Sequence, residues 1–60
     1  MAEANNIRVL VVEDNDLVVR LLEAMLSKRG YEVVGEAANG LAAVEMTQTL
    51  RPDVVIMDVQ

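Results

Sequence analysis

Two apolar runs in this 60-residue chain each end in acid, and that placement could do chemistry. Glu13 and Asp14 come directly after Ile7-Arg8-Val9-Leu10-Val11-Val12, and Asp58 comes directly after Val54-Val55-Ile56-Met57. If the runs are neighbouring parallel strands, three carboxylates gather at one edge of a sheet. Neither turn holds a Lys, Arg or His to neutralise them. Such a set calls for a cation, and carboxylate oxygens suit a hard one such as Mg²⁺, which takes one or two carboxylates, keeps several waters and binds phosphate oxygens. A carboxylate is a weak nucleophile. Held in line with a phosphoryl group, however, an Asp can form an acyl phosphate once a metal neutralises both partners.

The elements that must position these acids can be read from periodicity. Ile7–Val12 is short, β-branched and almost wholly apolar, the pattern of a strand buried on both faces. From Leu17 the period becomes helical: Leu17, Val18, Leu21, Leu22, Met25 and Leu26 share a face opposite Arg20, Glu23, Ser27 and Lys28. Asn15 or Asp16 can cap the start of this helix, Lys28 and Arg29 suit its carboxyl end, and Gly30 stops it. Tyr31–Ala37 reads as a second strand, weakened by Gly35 and by Glu32 and Glu36, hence an edge strand with one side wet. Asn39-Gly40 reads as a turn and helix cap, with a two-residue hairpin turn as the alternative. The following segment places Ala43, Val44, Thr47 and Leu50 on a narrow apolar stripe before Arg51-Pro52 ends it. Asp53 is a loop residue that starts the third strand, Val54–Asp58. Met25, Met46 and Met57 read as core fillers, and Tyr31 as packing.

Strand, helix, strand, helix, strand makes two βαβ units, whose crossovers are right-handed. In strand order 1-2-3 the ends of the first and third strands lie roughly 9 to 10 Å apart, whereas in order 2-1-3 they are neighbours at about 4.8 Å. Only order 2-1-3 lets Asp14 and Asp58 share one ion. It also places one helix on each face and opens a crevice at the carboxyl ends of strands 1 and 3, where such sheets bind ligands.

Composition narrows the function class. At 53% hydrophobic and 25% charged the chain is built to fold, although a domain of this size buries only about 60% of its unfolded surface and is marginally stable. A net charge of −5 argues against direct binding to nucleic acid or an anionic membrane. There is no cysteine for a disulfide or thiolate metal site. No apolar run approaches the roughly 20 residues that cross a bilayer, and residues 1–6 lack the pattern of a secretory signal, so a flexible N-terminus and a cytoplasmic location are expected.

Val9-Leu10-Val11-Val12-Glu13-Asp14-Asn15, Gly30-Tyr31-Glu32-Val33-Val34, Ala38-Asn39-Gly40 with Ala43, and Pro52-Asp53-Val54-Val55-Ile56-Met57-Asp58 together resemble the receiver domain of bacterial two-component response regulators. The resemblance runs from Ile7 to Gln60. It implies an α/β fold: βαβαβ with a parallel three-stranded sheet of order 2-1-3, the N-terminal half of a flavodoxin-like, doubly wound receiver. It further implies that Asp58 is the phosphoacceptor and that Glu13 and Asp14 position Mg²⁺, Asp14 directly and Glu13 through a water. Gln60 stands where the family offers a backbone carbonyl to the metal. The implied partner is a sensor histidine kinase or phosphotransfer protein, and the chain is not expected to be an enzyme beyond its own phosphotransfer and dephosphorylation.

Residues 1–60 then read as a truncated receiver, without the later Ser or Thr, Lys and aromatic switch residue of the family. The third strand becomes an uncovered apolar edge, which predicts self-association, with third strands meeting across a two-fold axis. The competing reading is an inactive, self-associating structural half-domain, as a fragment or a divided fold. Plainer alternatives are a solvated capping turn at Glu13, Asp14 and Asp16, and a simple strand-end residue at Asp58. An Asp-dependent phosphatase would carry a second Asp where Gln60 stands.

Overall fold

The computed structural model describes residues 6–57. Three strands and two helices alternate as β1 (Arg8–Val12), α1 (Asp16–Lys28), β2 (Glu32–Ala37), α2 (Gly40–Leu50) and β3 (Val54–Met57). The sheet is parallel with order β2-β1-β3, as the shared-ion argument requires. The two helices touch the sheet and not each other, so each covers its own face.

β1 is central because it is apolar on both faces. Val9, Leu10, Val11 and Val12 are all buried, and each such side chain contributes about 1.5–3 kcal/mol of burial. Leu10 and Val12 join Ala37 and Ala43 in a core cluster under α2, with Ala42 and Met46 packed against it.

Both helix starts follow from asparagine. Asn15 Oδ1 accepts from the N–H groups of Leu17 and Val18 at 2.9 and 3.2 Å, and Asn39 Oδ1 accepts from Ala42 at 2.9 Å. The Asn39-Gly40 hairpin alternative is thereby removed. α1 ends as Gly30 requires: at φ 89° it lets its N–H donate to Ser27 O at 3.1 Å while the Tyr31 N–H donates to Leu26 O at 3.0 Å. This double closure is the Schellman arrangement. α2 ends on Arg51, which takes the left-handed conformation at φ 51° ahead of Pro52.

Several expectations need correction. On α1 the side turned to the sheet carries Val18, Val19, Leu22 and Leu26, with Val19 buried, while Leu17, Leu21 and Met25 are exposed. On α2 the packed positions are Ala42, Ala43, Met46 and Leu50, and Val44 and Thr47 face outward. The buried side of α1 is turned toward Val19 and that of α2 toward Ala42 and Met46, because periodicity gives a face and not its centre. Met25 and Met57 are exposed and only Met46 fills core; Tyr31 is likewise exposed. Gly35 is no mere weakness in β2. A Cβ there would stand 2.7 Å from Met46 Cε and 2.9 Å from Leu50 Cδ1, so its missing side chain is what admits α2.

Residues 1–5, and with them most of the expected flexible N-terminus, lie outside the described residues, as do Asp58 and Gln60.

Candidate acidic site at the carboxyl edge

The site is built from the ends of strands. The β1–β3 register runs from Val9↔Val54 to Val12↔Met57, and the β1–β2 register ends at Val12↔Ala37. All three strands therefore finish at one edge. The Glu13 N–H extends the ladder by donating to Ala37 O at 2.9 Å, which fixes the backbone of the first acid.

Glu13 is only 8% exposed, a rare degree of burial for a carboxylate. Its Oε2 accepts from the Asn15 N–H at 3.2 Å, so the residue that caps α1 also holds the glutamate. Asp14, between them, is exposed to solvent. The pair thus splits into a buried, backbone-anchored acid and an open one that an ion can reach. α1 and α2 both begin at this edge, and their partly positive N-terminal ends suit anionic groups there.

Of the residues expected at the site, the structure places Glu13 and Asp14 together at the carboxyl edge. Asp58 and the Gln60 carbonyl lie outside the described residues. Among the described residues no three Asp or Glu side chains are close enough to hold an ion. The donors present are nonetheless hard carboxylate oxygens, the chemistry Mg²⁺ prefers.

The Response regulator receiver domain family matches residues 9–60. The chain belongs to that family. Receivers serve as the input modules of response regulators in two-component systems, and the βαβαβ order 2-1-3 agrees with the N-terminal half of their fold. Over 52 residues this receiver is 48% identical to the Chemotaxis protein CheY of Thermotoga maritima, an overlap of 87% of this chain and 43% of that protein. It is 51% identical over 53 residues to the Transcriptional regulatory protein PdtaR of Mycobacterium tuberculosis, covering 88% of this chain and 26% of the relative. It is 38% identical over 52 residues to the Polar-differentiation response regulator DivK of Brucella anthropi, covering 87% and 42%. The chain spans less than half the length of each.

Two features of this receiver escape sequence reading. Asn15 joins cap and glutamate clamp in one residue, its side chain capping α1 while its backbone N–H donates to Glu13, and a capping pattern signals only the first role. Glu23 on α1 meets Glu36 on β2. Hydrogen bonding to Glu36, then partial desolvation, then the Glu36 charge push the Glu23 carboxyl above its ordinary pKa, with Arg20 opposing. No local pattern brings those two glutamates together.

Proposed function

We propose that this receiver accepts a phosphoryl group on Asp58 from the phosphohistidine of a sensor histidine kinase or phosphotransfer protein, with Mg²⁺ as cofactor. The observation that carries the reading is the pairing of Val12 with Met57, since Glu13-Asp14 and Asp58 are the next residues after these two in the sequence. Asp14 is the direct metal ligand, Glu13 acts through a water, and Asp58 and the Gln60 carbonyl complete the set. The metal supplies charge neutralisation between carboxylate and phosphoryl oxygens. Receiver domains generally bind Mg²⁺ and meet such kinases, which supports the assignment. The chain acts as no enzyme beyond this transfer and the hydrolysis of the resulting acyl phosphate to Asp58 and inorganic phosphate, and it works in the cytoplasm. Among the described residues no helix is long and apolar enough to cross a membrane.

Incubation with Mg²⁺ and a small phosphodonor, followed by mass analysis, tests the reading. A phosphoryl adduct that disappears in Asp58→Ala supports it. A folded chain that forms no adduct, or one whose adduct survives the substitution, overturns it.

A further inference from the structure

Asn39-Gly40 begins α2, and the same pair carries a chemistry that the fold does not need. Asn5, Asn6 and Asn15 precede Asn, Ile and Asp, and only Asn39 precedes a glycine. Asparagine is a chemically labile side chain. It is most so before glycine, where the next backbone nitrogen reaches the side-chain amide carbon with no Cβ in the way. Here both residues are exposed to water, and nothing lies within 4 Å of where a Gly40 Cβ would stand. The ring that would form meets no wall.

The first turn of α2 restrains that step. Ring closure requires Asn39 Cβ and the Gly40 nitrogen to eclipse about the Cα–C bond, and at ψ 175° they are staggered. Turning that bond swings the Asn39 carbonyl, which accepts from the Ala43 N–H at 3.0 Å. Bringing Cγ to the nitrogen also draws Oδ1 off the Ala42 N–H, its partner at 2.9 Å. Both bonds that begin α2 are therefore lost before the ring can close. Little packing resists their loss, since Leu41 is 74% exposed and full burial starts only at Ala43. A helix end so thinly packed opens locally far more often than the whole chain unfolds.

We propose that Asn39 is a site of spontaneous deamidation, gated by opening of the first turn of α2. In the opened turn the Gly40 nitrogen bonds to Asn39 Cγ, its proton passes to Nδ2, and Nδ2 leaves as ammonia. Water then opens the succinimide. Cleavage between the Gly40 nitrogen and Cγ leaves aspartate, whereas cleavage between that nitrogen and the backbone carbonyl carbon leaves isoaspartate, with the main chain routed through Cβ. The two products act oppositely on α2. Aspartate caps as well as asparagine and adds negative charge where a helix start favours it. Isoaspartate lengthens the main chain by one carbon and withdraws the cap from Ala42. Either product adds a carboxylate to the edge where Glu13 is bonded to Ala37.

Incubation of the unaltered chain at mildly alkaline pH, in buffer and in denaturing guanidinium chloride, tests both parts. Peptide mapping by mass follows each asparagine through the gain in mass of an amide turned to an acid. In denaturant Asn39 should convert several-fold faster than Asn15, and Gly40→Ala should remove most of that lead. An Asn39 no faster than Asn15 overturns the site. Folding should slow Asn39 several-fold, and equal rates in buffer and denaturant overturn the gate. Leu41→Gly, an exposed change that loosens the turn, should raise the folded rate several-fold and leave the denatured rate unchanged. Asp53→Ala, at the far end of the sheet, should leave both rates unchanged. An equal rise of the folded rate in the two variants places the gate at unfolding of the whole chain and overturns the local opening.

Discussion

Arg8 and Asp53 bond to each other reciprocally: the Arg8 N–H donates to Asp53 Oδ2 at 2.9 Å, and the Asp53 N–H donates to Arg8 O at 2.8 Å. The Arg8 guanidinium also donates to the carbonyls of Leu50 and Arg51, at 2.7 and 3.0 Å, where α2 ends. One arginine thus ties the starts of β1 and β3 to the end of α2. This knot lies at the end of the sheet opposite the acids, and it sets the register that brings Met57 beside Val12.

Asp53→Ala should therefore cost about 1 kcal/mol by leaving the Arg8 N–H without its carboxylate. Asp53→Asn keeps an acceptor and should recover most of the loss. Urea unfolding of the two variants against the parent checks the difference, and equal midpoints for Ala and Asn would remove the hydrogen bond from the explanation.

Gly30→Ala should cost about 1 kcal/mol, because φ 89° excludes a side chain even though nothing lies within 4 Å of the added Cβ. Gly40→Ala, equally unobstructed but at the first residue of α2, should be neutral or slightly stabilising. Thermal unfolding of the pair separates backbone strain from crowding.

Glu23 gives a pH dependence with a definite sign. An acid whose pKa is raised on folding binds more protons in the folded state between its ordinary and its raised value, so stability falls as pH rises through that window. The penalty is complete above the raised pKa and absent below the ordinary value. Glu23→Gln should accordingly stabilise the chain at pH 7 and flatten this contribution at acid pH. Urea midpoints measured from pH 4 to 7 decide it, and parallel curves for variant and parent would sink the assignment.

Mg²⁺ should raise the unfolding temperature, since an ion held only by the folded state stabilises by about 1.4 kcal/mol when present at tenfold over its Kd. Asp14→Asn should abolish that response. Calcium or sodium at matched ionic strength is the control for simple screening. An identical rise in parent and variant would exclude Asp14 as a ligand.

Element order, strand order and the acidic pair were legible in the sequence because each rests on local signals. Val9 to Val12 announces a strand buried on both faces, Asn15 and Asn39 announce helix starts, and Gly30 announces a stop. The demand that Asp14 and Asp58 share an ion selects order 2-1-3 from the sequence alone. What stayed hidden depends on distance through space. The rotation of α1 that exposes Leu17, Leu21 and Met25, the notch at Gly35, the Arg8–Asp53 knot and the meeting of Glu23 with Glu36 all require the packed sheet. Asp53 shows the difference well: the sequence marks it as the residue before a strand, and only the fold reveals whose N–H it holds.

The slip in β2 has one more consequence. Val9 faces Val33, yet Leu10 faces Gly35, so Val34 is counted once in β2 and not at all in β1. That residue bulges out of the ladder, and past it Gly35 and Ala37 fall on the side of Leu10 and Val12 beneath α2 while Glu36 falls on the other side near α1. Removing Val34 would restore regular pairing and leave Gly35, Glu36 and Ala37 opposite the same β1 residues and on the same faces. A one-residue deletion here should therefore do less damage than one in β3, whose register with β1 holds no uncounted residue.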